Sequence, residues 1–381
     1  MKAFINARVL VLGAGKVGTV IAAMLAEHYD FRITLADRRP GELAAGDPAI
    51  RTMAVDVENP SALHDMLKQH DVVINALPFY LAAQVARAAT HCGVHYFDLT
   101  EDVAATQAIR ELAQTSRGVL MPQCGLAPGV IGMLGGHLAQ SFDMLYDIKL
   151  RVGALARHAT NALRYNFTWS VDGVINEYCN PCEAIVNSQQ VSVQPLEGYE
   201  TLTLDAQCYE AFNTSGGLGT LCETLHGKVR NLDYKTMRYP GHRDAMSMLL
   251  HDLRLIERRP LLREILEGAV AHSREDVVIV FASATGLRSG RFEQITRLAR
   301  IHGDILRNKH RTAIELSTAA GVVGALELAL HGALPQQGFI SQEMIPLDAF
   351  LGTRVGHYYS ALRSEGAQAC SPRPSDLVAL A

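Results

Sequence analysis

The sequence predicts an α/β protein. An N-terminal doubly wound parallel sheet is followed by an α+β second domain with a largely antiparallel or mixed sheet. Three observations predict it. Through the first 125 residues, short β-branched runs alternate with segments of helical period, as parallel strands joined by right-handed crossovers do. The first of these runs leads straight into a glycine-rich turn and a helix. Beyond Gly125 the runs lengthen and strands outnumber helices, which suits an open antiparallel or mixed sheet.

In order, the first part is expected to hold strands at Arg8–Leu12, Arg32–Ala36, Arg51–Val55, Val72–Ala76, Val94–Asp98 and Gly118–Pro122. Helices are expected between them near Val17–His28, Ser61–Gln69, Leu81–Cys92 and Asp102–Ser116. A helix opened by Pro128 follows at Leu126–Gln140. Strands are then expected at Tyr146–Val152, Leu163–Val171, Ala184–Val193, Thr201–Leu204 and Asn231–Arg238. A helix near Arg243–Arg258 and strands at Val277–Ala284 and Phe292–Ile301 come next. Thr312–Leu330, rich in Ala and Gly, reads as a strand-to-helix passage small-faced enough for close packing. From Leu351 the chain reads as a partly unordered tail.

Composition narrows the function. With 381 residues, 48% hydrophobic, the chain is too long for one core and too apolar for disorder. Its 35 basic and 39 acidic side chains leave a net charge of −4, no footprint for nucleic acid. The longest apolar stretches, Val277–Ala282 and Val322–Leu334, fall short of a bilayer span, and Met1–Asn6 does not read as a secretory leader. Seven scattered cysteines fit a reducing compartment, so a soluble cytoplasmic protein is expected. Cys179-Asn-Pro-Cys182 lacks a second ligand pair and reads as a chance loop pair, with no metal expected.

The stretch Val9 to Gly18 runs from a buried strand into Gly-x-Gly-x-x-Gly. Gly13 permits the tight turn, Gly15 admits a pyrophosphate to the backbone, and Gly18 lets the helix pack on the strand. Amides at Lys16 and Val17 then face the phosphates at the helix start. Asp37 ends the second strand, where a carboxylate accepts from ribose hydroxyls; it favours NAD, although Arg38 and Arg39 leave NADP open. Asp56, Asn75, Ala76 and Leu77 are further expected cofactor contacts.

A substrate is expected beyond the carboxyl ends of these strands. There Asp98, Thr100 and Glu101 offer carboxylates and a hydroxyl, though Thr100 equally fits a helix cap. Three polar clusters stand out in the second domain: Trp169–Gly173, Phe212–Gly217 and Lys235–His242. Thr214, Ser215 and Gly216 suit an anion-holding turn, and Arg238, aided by Lys235, suits bidentate carboxylate recognition. Trp169 and Tyr239 join them as substrate contacts. His242, Asp98 and Glu101 are the candidates for accepting a proton, with a plain capping role open for His242.

At Asp71–Leu77, Gly125–Gly129, Glu210–Gly217 and Asp233–His242 the sequence resembles the saccharopine dehydrogenase-like reductases, most closely the lysine 6-dehydrogenase branch. The resemblance runs from Val9 to about Pro346. Saccharopine reductases carry Asp where Ala127 stands and Asn-Arg-Asp-Ser near Thr214–Gly217, and this chain departs from both. The resemblance implies NAD-dependent oxidative deamination of a side-chain amine, with L-lysine the lead substrate and a cyclising semialdehyde the product. A reductase joining an amine to a carbonyl, or a catalytically silent dinucleotide-binding regulator, are the alternatives. It also implies a discontinuous nucleotide domain (1–125 and 318–350), a substrate and dimerisation domain (126–317), a tail (351–381), and a homodimer or higher homo-oligomer.

Overall fold

The computed structural model describes residues 6–39 and 47–363. Strands β1 (Arg8–Leu12), β2 (Arg32–Asp37), β3 (Ile50–Ala54), β4 (Val72–Asn75), β5 (His95–Asp98) and β6 (Val119–Met121) lie parallel in the order β6-β5-β4-β1-β2-β3. Helices α1 (Lys16–His28), α2 (Pro60–Leu67), α3 (Ala82–Cys92) and α4 (Val103–Ala113) make the crossovers. Both faces are covered, so Val9 to Leu12 and Val72 to Asn75 are buried without alternation. The connections reverse direction between β1 and β4, which opens a crevice above their carboxyl ends.

After α5 (Val130–Ala139), β7 (Met144–Ala156) begins the second sheet, and α6 (Val171–Cys179) follows it. Strands β8 (Cys182–Val186), β9 (Gln189–Val193), β10 (Glu200–Leu204) and β11 (Gln207–Asn213) precede the short α7 (Leu221–Leu225). Next come β12 (Asn231–Arg238), α8 (His242–Ser247), α9 (Arg259–Ala269), β13 (Asp276–Arg288) and β14 (Arg291–His302). The path is β10-β11-β12-β7-β13-β14, with β8 and β9 attached at β12. Only the β12–β7 pair in this sheet is parallel, so it is mixed but mostly antiparallel.

The chain then returns. A small hairpin of β15 (Asp304–Leu306) and β16 (Lys309–Arg311) leads into α10 (Ala313–Leu330), whose start is fixed by a Thr312/Glu315 capping box. Arg307 ties this hairpin to Asp47 and to Glu27 of α1. Later β17 (Gly338–Phe339) joins the first sheet beside β6, and α11 (Leu347–Leu351) follows. Helix α10 is 18 residues long with mean hydropathy 1.5, but 83% of it is buried inside the fold, so its apolar surface is core. Counting only Val322–Leu334 as apolar understated this helix, because Glu315, Ser317 and Thr318 interrupt the apolar run in its first turns.

Several expected elements differ. The strand foreseen at Leu163–Val171 is irregular chain ending in α6, whose N-cap Ser170 accepts from the Gly173 amide. The run Ala184–Val193 is a hairpin, since Asn187 and Ser188 both take positive φ and turn the chain. Beyond α8 the helix foreseen to Arg258 loosens into a π turn and a 3-10 turn before α9, which was not foreseen. Nor was β11. The segment from Leu351 to Arg363 is packed, not loose: Tyr359 is buried and donates to the Ser317 carbonyl at 2.8 Å. The rest of the expected tail, 364–381, lies outside the described residues.

Candidate functional site

At the glycine turn, Gly13 has φ +102°, and an added Cβ would sit 2.7 Å from the Ala76 carbonyl oxygen. A Cβ at Gly18 would lie 1.8 Å from the Gly13 oxygen, so the helix meets the turn only through glycine. Gly15, by contrast, faces open space. Asp37 stands at the end of β2 and accepts from the Ala14 amide at 2.8 Å and the Arg39 amide at 3.0 Å, which fixes the carboxylate beside the turn. These residues fit a dinucleotide. Asp56 lies farther out and exposed, and Arg38, between Asp56 and Glu58, is held by Glu58 at 2.8 Å. The Lys16 ammonium lies 3.1 Å from His272 of the second domain, at the start of α1. The Asn75 side chain is buried on Tyr96 and the Leu77 amide, so it shapes the turn from behind.

A cavity of about 310 Å³ opens from this turn. Val17 of α1, with Ala76, Leu77 and Gly125–Pro128 beyond strand ends, lines one side. Val152 of β7, the α6 segment and β12 line the other. The two-residue period of β12 sends Tyr234, Thr236 and Arg238 to the cavity. The same period turns Lys235 to the opposite face, where it pairs with Glu200 at 3.0 Å beside Arg151 and Asp233. Lys235 therefore does not assist Arg238, because a spacing of three reverses the face of a strand.

Arg238 is 2% exposed. Its Nε donates to the Tyr178 hydroxyl at 2.9 Å and its Nη1 to the Met237 carbonyl at 2.9 Å, and its guanidinium lies 5.0 Å over the Tyr165 ring. Burial works against its charge, but Tyr178, Tyr165 and Glu177 outweigh burial and keep it cationic. Among the described residues lining the cavity it is the cationic side chain, facing Glu101, Asp172 and Glu177. Burial pushes the Glu177 carboxyl up to about 8, opposed by Arg238 and reinforced by Glu101. Burial, with smaller contributions from Asp102 and Asp98, pushes Glu101 up to about 7. The site therefore joins one fixed cation to two carboxyls that exchange protons near neutral pH.

Two proton-acceptor candidates are placed elsewhere. His242 does not line the cavity; its Nε2 faces the Tyr178 hydroxyl at 3.0 Å and its Nδ1 the Leu163 carbonyl at 2.8 Å. Burial and Arg238 push its pKa down to about 3, so it is neutral and supports Tyr178. Asp98 accepts from Tyr96, Thr100 and Gln123 and is 1% exposed, which makes it a brace for the strand ends. Burial raises it to about 6 despite those bonds.

Among the substrate candidates, Trp169 lines the cavity and covers Gly173. Thr214, Ser215 and Gly216 do not line it. Thr214 bonds Thr236 at 2.9 Å, the Ser215 amide donates to the Glu177 carbonyl at 3.0 Å, and Gly216 presses on the Glu101 backbone. This turn locates both glutamates, while Arg238 is the cationic side chain on the cavity wall. Tyr239 points away, donating to the Ala156 carbonyl at 3.0 Å. Glu177 and Tyr178 were missed by sequence reasoning; the signal was a Ser N-cap with Asp172 in the first turn, marking a helix that carries a glutamate into the core. Cys179 and Cys182 are both buried, and burial pushes the Cys182 thiol up to about 12. Among the described residues no His, Cys, Asp and Glu group could hold a metal.

Comparison with known proteins gives matches over both domains. Residues 9–121 match the description "Saccharopine dehydrogenase NADP binding domain" and residues 125–353 "Saccharopine dehydrogenase C-terminal domain". NAD(P) is thus the cofactor class, with NADP named where the sequence leaned to NAD. The mitochondrial alpha-aminoadipic semialdehyde synthase of Rattus norvegicus is 25% identical, over 63% of this chain and 27% of that protein. The saccharopine dehydrogenase [NADP(+), L-glutamate-forming] of Schizosaccharomyces pombe is 23% identical, over 51% of this chain and 45% of its own. Carboxyaminopropylagmatine dehydrogenase of Synechocystis is 30% identical, over 38% of this chain and 41% of that protein. The chain thus spans less than half the length of these relatives. Apo saccharopine dehydrogenase from Saccharomyces cerevisiae shares the fold at TM-score 0.70 and 16% identity, over 89% of this chain and 94% of that one.

Proposed function

We propose, from the premise that this chain belongs to the saccharopine dehydrogenase family, that it is an NAD(P)-dependent oxidoreductase acting on the CH–NH bond of an amino acid. The reaction we favour is oxidative deamination of a side-chain amine, with L-lysine the leading substrate. The observation that carries this reading is the charge pattern of the cavity: Arg238 for a single carboxylate, Glu101 and Glu177 for an amine.

Arg238 receives the α-carboxylate through its guanidinium, held in place by Tyr178. Trp169 and the apolar wall of Ala76, Leu77 and Leu126 cover the methylene chain and exclude water. Glu101 or Glu177 takes a proton from the ammonium, so that nitrogen has a free pair to support loss of hydride from the neighbouring carbon. The nicotinamide, when bound, accepts that hydride. Addition of water to the resulting imine and loss of ammonia give a semialdehyde, which its own α-amine can close into a ring.

A second reading is a reductase that joins an amine to a carbonyl substrate. It is favoured by the Synechocystis relative, whose name denotes a carboxyalkylated polyamine. Ala127, on the cavity wall, offers no charge for a second amino-acid moiety, which supports the simpler substrate. Incubation with L-lysine, other amino acids and polyamines, with NAD and NADP and in both directions, separates the two. Ammonia release in the oxidative direction supports deamination; turnover only with an amine and a carbonyl together supports the condensing reaction. The half-exposed outer face of the second sheet, with Tyr239, Phe281 and Leu298, supports pairing of two protomers, testable by light scattering.

A further inference from the structure

Three cations gathered near the start of α1 take no part in the proposed reaction. Lys16 opens α1, Arg274 lies in the loop before β13, and Arg311 closes the β15–β16 hairpin before α10. They share one locality: Glu315 and Arg274 each act on both Lys16 and Arg311, and the Lys16 ammonium lies 3.1 Å from His272, two residues before Arg274. Glu315, which also accepts from the Thr312 amide in the capping box, is the acid among them, and one carboxylate among three cations leaves the group net positive. Among the described residues, the side chains of Arg274 and Arg311 make no ion pair within 4 Å. The Arg311 Nε is buried without a hydrogen-bond partner. A buried guanidinium nitrogen left unpaired is costly, and the positive charge that Glu315 leaves uncancelled favours a further anion.

We propose that Lys16, Arg274 and Arg311 form a diphosphate clamp closed across the two domains, gripping the cofactor's pyrophosphate from the side opposite the α1 amides. This rests on the first domain binding a dinucleotide. It adds that the second domain contributes directly to cofactor affinity, so cofactor binding holds the domains together. A diphosphate at Gly15 would place its charge between the α1 amides and the side chains from the second domain.

The test uses Trp169, the one tryptophan of the chain, which lines the cavity and reports a reduced nicotinamide by energy transfer. Wild type, Arg274→Ala and Arg311→Lys are titrated with NADH and with NADPH at several ionic strengths. The expected result is a Kd raised about tenfold in Arg274→Ala for both cofactors alike, with a shallower salt dependence. Arg274 is exposed, so folding is retained, and a thermal melt verifies it. Arg311→Lys keeps the charge but loses the guanidinium fork, and a smaller loss is expected. Unchanged affinity in Arg274→Ala overturns the clamp while leaving the dinucleotide reading intact. Weakening of NADPH alone also overturns it, by assigning these cations to a 2′-phosphate. Wild type that binds neither cofactor overturns both readings.

Discussion

Arg238 and Tyr178 are joined by a hydrogen bond of 2.9 Å from the guanidinium Nε to the phenol oxygen. The phenol hydrogen is thereby directed to His242 Nε2, 3.0 Å away, and the His242 Nδ1 hydrogen to the Leu163 carbonyl at 2.8 Å. The chain of donors has one direction: Arg238 to Tyr178 to His242 to backbone. It orients the cation proposed to bind the carboxylate while consuming the histidine nitrogen that a base would need.

Removing Tyr178 should therefore disturb binding more than chemistry. Tyr178→Phe leaves Arg238 Nε and His242 Nε2 unpaired in the core, at a cost of about 1–3 kcal/mol each. We expect KM for the amino acid to rise about tenfold with kcat changed less, measured by steady-state kinetics. His242→Asn should behave similarly and leave every ionisation in the pH profile in place, since His242 is neutral from about pH 4 upward.

The glutamates should set that profile. Both folded pKa values, about 7 for Glu101 and about 8 for Glu177, are raised above the ordinary carboxyl range. Amine oxidation needs a deprotonated carboxylate, so the oxidative rate rises with pH through this range. Glu101→Gln and Glu177→Gln should each flatten a limb of that rise, and the variant lacking the base should lose about 10²–10⁴-fold in kcat.

The same shifts bear on stability. A carboxyl with a raised folded pKa favours the fold most when protonated in both states, below about pH 4, and that contribution is lost as pH rises through 7 to 8. The ligand-free protein should therefore lose thermal stability from about pH 5 to about pH 8 and level off above it. In Glu177→Gln the fall should be smaller, as read by scanning calorimetry.

Gly216 couples the two domains mechanically. It has φ +83°, and an added Cβ would lie 2.4 Å from the Glu101 carbonyl oxygen. Gly216→Ala should cost about 1–3 kcal/mol in strain and lower kcat by displacing Glu101, without changing cofactor affinity measured by Trp169 fluorescence.

Cofactor choice turns on the end of β2. Asp37 is fixed there by two backbone amides, and Arg38 is drawn to Glu58 at 2.8 Å. Asp37→Ser should shift the ratio of kcat/KM for NADP over NAD upward by about tenfold or more, through loss of repulsion at a 2′-phosphate.

What the sequence made legible was local. The Gly13–Gly18 turn, Asp37 and the alternating rhythm of the first sheet are short-range patterns, and β12 announced Arg238 through its own residues. What it hid was pairing between distant segments. Tyr178 and His242 are 64 residues apart, and Glu177 meets Glu101 only because the Thr214–Gly216 turn packs one on the other. Helix α6 is buried at eight of its nine residues, Asn176 and Glu177 among them, so its polar side chains did not mark a solvent face in the sequence. Lys235 was misassigned for a simpler reason: a helix spacing was applied to a strand.

The proposed role of Arg238 is to select an amino acid by its carboxylate. The most direct measurement compares kcat/KM for L-lysine and for cadaverine, its decarboxylated counterpart, in wild type and in Arg238→Ala. We predict that wild type prefers lysine by about 100-fold, the worth of a buried charge-assisted hydrogen bond. In Arg238→Ala that preference should collapse to within a few-fold, through loss of lysine turnover. Equal turnover of the two amines by wild type, or an undiminished preference in Arg238→Ala, would contradict it.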